Sequence, residues 1–196
     1  MTGPSSPAVT DAGRPEGQAG SPADGTYGTL DFQRMRHKSQ LVKIACDIAA
    51  VAKRYRKIHR SLFGLSMRRV LHVLQHNKLR DFAALEIELD SIAAESKLIQ
   101  QVIDNMGFDY QPKHANMITT IRDALKLYAE AISGAALELN LICRNLRCES
   151  AGETGFAGYS TDKFQRDKVA YDSTVQEIRR RGTRLTELFE NFKLGQ

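Results

Sequence analysis

Leu41, Ile44, Ile48, Val51, Tyr55, Ile58 and Leu62 follow one another at spacings of 3, 4, 3, 4, 3 and 4. That alternation is the seam of a helix packed along its length against other helices. Three further stretches repeat it. Met67, Leu71 and Leu74 start a second stripe, which resumes one residue out of phase as Phe82, Leu85, Leu89, Ile92, Ser96, Ile99, Ile103 and Met106. The phase break falls near His76–Lys78 and reads as a stutter inside one helix. Ile118, Ile121, Leu125, Tyr128, Ile132, Ala135, Leu139, Ile142 and Leu146 form the third stripe. The fourth is Phe164, Tyr171, Val175, Ile178, Leu185, Phe189 and Phe192, with Lys168 and Gly182 completing its register and Gly182 marking a bend or a close contact.

Punctuation between the stripes sets the boundaries. Thr29 or Asp31 can cap the first helix, Gly64 and Ser66 form a short turn, Gly107 and Pro112 separate the second and third helices, and Thr161 can cap the fourth. The expected helices are about 29–63, 66–106, 112–147 and 161–194, with a Gly-rich loop at 149–160. Gly134, Ala135 and Ala136 predict a place where a neighbouring backbone comes close. No run alternates with period two, so no sheet is expected. The fold class is all-α: an elongated antiparallel four-helix bundle with coiled-coil-like heptad seams.

Composition adds a tail and a compartment. The first 28 residues hold Pro4, Pro7, Pro15 and Pro22 and have little to bury, so they are expected to be disordered. The domain reading is therefore a tail over 1–28 and one bundle domain over 29–196. Whether the tail serves recognition or export is open. Cys46, Cys143 and Cys148 are too few and too irregular for a disulfide framework. With no basic-then-apolar leader and no long apolar run, they point to a reducing, cytoplasmic setting.

Charge is distributed unevenly. The chain of 196 residues carries a formal +5. No acidic residue lies between Asp47 and Asp81, a span holding Lys53, Arg54, Arg56, Lys57, Arg60, Arg68, Arg69, Lys78 and Arg80. The following stretch carries Asp81, Glu86, Glu88, Asp90, Glu95, Asp104 and Asp109 against Lys97 alone. Either the basic block meets a polyanionic partner, or the acidic stretch folds back and neutralises it. Lys53, Lys57 and Arg60 share one helical face, Arg54 and Arg56 flank the seam, and Arg68 and Arg69 follow across the turn. Arg179, Arg180, Arg181 and Arg184 offer a second basic cluster. Phosphates suit such guanidinium groups.

Constellations for chemistry are sparse. His72 and His76 stand at i, i+4 but have no nearby carboxylate to complete a metal site. Glu86 and Asp90, with Glu88 close by, read as a solvated helix face before an acid–base pair. Cys143 and Cys148 do not form a Cys-x-x-Cys motif. Neither phosphate-loop, nucleophile-elbow nor dinucleotide signatures occur. The chain is thus expected to have no catalytic residues, no metal, no cofactor and no small-molecule substrate. Its seams are long enough to recruit helices from a second copy, which allows a dimer.

Two segments carry a family resemblance. QLVKIACDIAAVAKRYRKIHR, at 40–60, resembles the first helix of the translin family, with its Leu-Val-Lys, Asp-Ile and His-Arg. RDALKLYAEAI, at 122–132, is similar to a later helix of that family. The resemblance implies an all-helical oligomer that binds single-stranded nucleic acid. The family's Gly-Glu-Leu-Arg-Arg-like helix is not evident, and no catalytic residue is carried over.

The functional expectation is a non-enzymatic helical adaptor, scaffold or regulatory protein acting through its surface on a protein partner. The alternatives are a translin-like binder of single-stranded nucleic acid using the basic block 53–80, and a bundle that associates with anionic membranes.

Overall fold

A computed structural model describes residues 24–63, 82–106, 112–150, 159 and 161–194. Its helices are α1 (Asp24–Phe63), α2 (Phe82–Asp104), α3 (Pro112–Ser150) and α4 (Thr161–Leu194). No strand occurs among the described residues. Internal contacts divide the chain into two units, residues 1–37 and 38–196. In the first, the described part is the start of α1. The second holds the four-helix bundle.

The heptad seams are the core. Every member of the α1 seam, from Leu41 to Leu62, is buried. On α2 the buried residues include Phe82, Leu89, Ile92, Ser96 and Ile103, with Leu85, Ile99 and Met106 packed against them. On α3 the seam from Ile118 to Leu146 is buried except for Tyr128, which is half-buried. Each fully buried aliphatic side chain adds about 1.5–3 kcal/mol of burial free energy, which outweighs the weak helix propensity of the β-branched residues.

Cross-helix bonds fix the antiparallel order. Glu86, early in α2, meets Arg147, late in α3, while Asp104 at the end of α2 meets Lys126 nearer the start of α3. Lys38 of α1 lies over the ring of Phe192 near the end of α4, at 5.5 Å. Further along α1, Tyr55 reaches Tyr171, which lies earlier in α4.

Several boundaries and packing details differ from the sequence expectation. Helix α1 begins at Asp24, so Thr29 and Asp31 lie inside it and not at its start. Extending a formed helix is far easier than nucleating one, so a weak cap signal does not stop it. Helix α3 runs three residues past the expected end, to Ser150. The α4 seam passes through buried Leu188, and Phe189 and Phe192 are only partly buried. The starting turn at Gly64 and Ser66, the stutter at His76–Lys78, Gly107 and most of the Gly-rich loop lie outside the described residues.

Of the two expected close approaches, the one at Gly134–Ala136 is carried by the residues beside the glycine, and the one at Gly182 by the glycine itself. A Cβ at Gly134 would meet nothing within 4 Å. Close packing in that stretch belongs to Ser133, whose hydroxyl donates to the Ala93 carbonyl at 3.4 Å, and to fully buried Ala135 and Ala136. At Gly182, in contrast, a Cβ would stand 3.3 Å from Tyr128 Cε2. The missing side chain on α4 is replaced by an aromatic ring from α3. Lys168, the other odd register position, lays its stem against the bundle, with its ammonium 4.7 Å from the centre of the Phe63 ring and paired with Asp172.

Candidate functional site

The cations of α1 divide according to the side of the helix on which they stand. Arg54 faces α2. Its Nε donates to Glu88 Oε1 at 2.7 Å, its Nη1 to Glu95 Oε1 at 2.6 Å, and its Nη2 to the Ser91 hydroxyl at 3.1 Å. Ser91 in turn donates to Glu95 at 2.9 Å. These bonds hold the Arg54 guanidinium well above, and the Glu95 carboxyl below, their usual ranges, the hydrogen bonds to the opposite partner being the main cause in both. Arg54 is therefore a clamp between two helices.

Lys53, Lys57 and Arg60 point away from the bundle. All three are exposed, and none has an ion-pair partner among the described residues. Among the described residues, the acidic stretch neutralises Arg54 and leaves these alone, its other carboxylates there being engaged elsewhere. Glu86 accepts from Arg147 Nε at 2.8 Å, Asp90 from Asn140 Nδ2 at 2.5 Å, and Asp104 pairs with Lys126. The candidate acid–base set Glu86, Glu88 and Asp90 is thus tied into bonds between helices. Arg68, Arg69, His72 and His76 lie outside the described residues.

The α4 cluster divides in the same way. Arg180 and Arg181 both bind Glu177, at 2.7 and 2.6 Å, and hold its carboxyl down to about 2. Arg181 also donates to the Leu127 carbonyl at 2.5 Å, and Arg184 pairs with Glu187 at 3.5 Å. Arg179 stands apart. It lines a groove of about 490 Å³ between α1 and α4, together with Arg56, Thr183 and Thr186. Ala45, Ala49 and Ala52 form the α1 wall, and Tyr128 of α3 forms part of the lining. Small side chains on α1 leave this trough open, the Tyr128 ring packs at Gly182, and guanidinium groups are contributed from both helices.

Further along the same α1–α4 seam lies a polar cluster that the sequence reading did not single out. The Tyr171 hydroxyl, on a fully buried side chain, is 2.6 Å from the Tyr55 hydroxyl and 2.7 Å from His59 Nδ1. Burial pushes both phenols far above their usual range. With His59 neutral, each contact holds one proton in either direction along the chain, Tyr55 to Tyr171 to Nδ1 or Nδ1–H to Tyr171 to Tyr55, according to the tautomer. Phe63 closes the cluster, 5.4 Å from the Tyr171 ring and 5.5 Å from His59. The available signal was His59 four residues after Tyr55, at the edge of the seam.

Burial holds the His59 imidazole below its ordinary 6.5, reinforced by Lys168, Arg179 and Arg60 and opposed by Asp172. The unfolded chain therefore takes up this proton first as pH falls. The stability that His59 contributes is complete above pH 6.5 and declines as pH drops from there through the lower folded value. His59→Asn should flatten the stability profile over that acid interval, as read by urea unfolding at a series of pH values. An unchanged slope would place the titration elsewhere.

All three cysteines are thiols, Cys46 exposed and Cys143 and Cys148 buried. Burial pushes the Cys143 thiol up to about 12, which suppresses the reactive thiolate. No group of three or more metal-ligating side chains occurs among the described residues. No helix among them is long and apolar enough to cross a membrane. No protein-family model matches the chain, and neither the curated proteins nor the solved structures hold a match, so the likeness to the translin family rests on residues 40–60 and 122–132.

Proposed function

We propose that the protein is a non-enzymatic helical-bundle adaptor or scaffold that uses the outer face of α1 to hold an acidic protein partner. The supporting observation is the separation of cations on that helix. Arg54 is engaged by two carboxylates, whereas Lys53, Lys57 and Arg60 stand exposed on one face without an ion-pair partner among the described residues. Unneutralised charge of one sign steers a complementary surface and sets its orientation. The bundle interior provides the rigid frame.

The test is Lys53→Glu with Lys57→Glu and Arg60→Glu. These exposed sites make no ion pair among the described residues, so the thermal midpoint should move by no more than about 2 °C. A stoichiometric acidic protein isolated with the native chain should be lost from the triple variant. Retention of that partner, or turnover of a substrate abolished by one polar substitution, would overturn the reading.

A second reading is favoured by the groove, where Arg56 and Arg179 approach from two helices. Together with the α1 face they could follow the phosphates of a single strand. Protein purified gently from its own cells would then show a high 260/280 nm absorbance ratio that collapses after a high-salt wash. Arg56→Ala with Arg179→Ala would reduce the salt slope of binding by about two. A ratio typical of bare protein before and after the wash would remove this alternative.

A further inference from the structure

Helix α2 carries two heptad seams. One faces the core. The other runs along the outside as Ala84, Ile87, Ser91, Ala94, Leu98 and Gln101, at spacings of 3, 4, 3, 4 and 3; all are exposed except Ser91, which is half-buried at the edge of the seam with its hydroxyl turned to Arg54. On this outer side Ile87 is 72% exposed, Leu98 59% and neighbouring Val102 53%. Aliphatic side chains this exposed and aligned mark a surface that meets another helix. We propose that the outer seam of α2 pairs with α2 of a second copy of this chain, antiparallel, about a two-fold axis near the Ser91–Ala94 step.

The seam is self-complementary when reversed about that step. Ile87 falls opposite Leu98 of the second copy, Ala84 opposite Gln101, and Ser91 opposite Ala94. The small residues thus lie at the axis, where two backbones can come within about 8 Å. The larger residues lie one turn out on each side and close the ends.

The flanking charges favour the same partner. Lys97 is the only cation of α2 and has no ion-pair partner among the described residues. Asp90 lies seven residues earlier on the same flank, so the two-fold operation brings Asp90 of each copy beside Lys97 of the other. The other flank holds Glu88 and Glu95, which would repel their counterparts if free. Arg54 binds both, at 2.7 and 2.6 Å, and cancels one of their two charges, which weakens that repulsion. An anionic membrane is a poorer occupant, since Glu88, Asp90, Glu95 and Asp104 outnumber Lys97 along this helix. The pairing is independent of the partner proposed for the cationic face of α1, which lies on a different helix.

Sedimentation of the full chain over roughly 1–100 µM should show a monomer–dimer equilibrium. Leu98→Glu, at an exposed site, should raise the dissociation constant about 100-fold or more without loss of helicity. Orientation is read with spin labels in a Cys46→Ser background. A label at Ala94→Cys should give a pair distance under about 20 Å, and labels at Ala84→Cys or Gln101→Cys about 25–30 Å, from 1.5 Å per residue along the antiparallel pair. Three equally short distances would mean a parallel pair and overturn the proposal. A monomer at every concentration, even with another protein bound, or a dimer indifferent to Leu98→Glu, would also overturn it. If Leu98→Glu disturbs folding, the label distances on the otherwise unaltered surface decide.

Discussion

Tyr171→Ala is expected to destabilise the bundle by about 3–5 kcal/mol, the range for truncating a large buried aromatic side chain. Tyr171 is fully buried and touches α1 through three side chains: Tyr55, His59 and Phe63. For a domain whose total stability is about 5–15 kcal/mol, such a loss leaves little margin. Tyr171→Phe separates the ring from the hydroxyl. It keeps the packing but leaves His59 Nδ1 and the Tyr55 hydroxyl without the partner they share, an expected cost of about 1–3 kcal/mol. Urea unfolding with an unchanged m-value measures both. Equal losses in the two variants would mean that the hydroxyl chain dominates. No loss in Tyr171→Phe would mean that both orphaned groups find solvent.

Arg54→Glu should be the most damaging substitution among the α1 cations, at about 2 kcal/mol, with Arg54→Ala costing about 1 kcal/mol. The guanidinium and its two carboxylates are 37%, 43% and 42% exposed, which keeps the attraction modest. Charge reversal adds repulsion from Glu88 and Glu95 to the loss of the forked bonds. Lys57→Glu, three positions along and exposed, should change stability by less than about 0.5 kcal/mol. The clamp also predicts a pH effect. Arg54 holds the Glu95 carboxyl below its usual 4.5. That contribution is complete above pH 4.5 and is lost as pH falls through the lowered value. Arg54→Ala should therefore reduce the acid sensitivity of the fold. Equal costs at Arg54 and Lys57 would remove the distinction between the clamp and the open face.

These contrasts separate what could be read along the chain from what could not. The α1 seam from Leu41 to Leu62 was legible residue by residue, because burial on a packed helix follows its own turn. The bounds of α4 were legible as well. The fate of the charges was not. Arg54 and Lys53 are adjacent in sequence and alike in chemistry, yet one is clamped and the other exposed, since one helical step of about 100° turns a side chain towards a neighbour or away from it. Arg179 and Arg180 divide in the same way, the first lining a groove shared with α1 and the second bound to Glu177. Gly134 and Gly182 looked alike, and only the ring of Tyr128 tells them apart.

The sequence by itself determined the helical class, the core seams and the presence of a strongly basic stretch, because periodicity and local charge are properties of one segment. The tertiary structure decided which cations remain open, which carboxylates are spent as bridges, where His59 finds its partner and which face of α2 remains uncovered. Each of those depends on a side chain contributed by another helix. The energy of a charge or a hydroxyl is set by the group opposite it, and that group is tens of residues away in the chain.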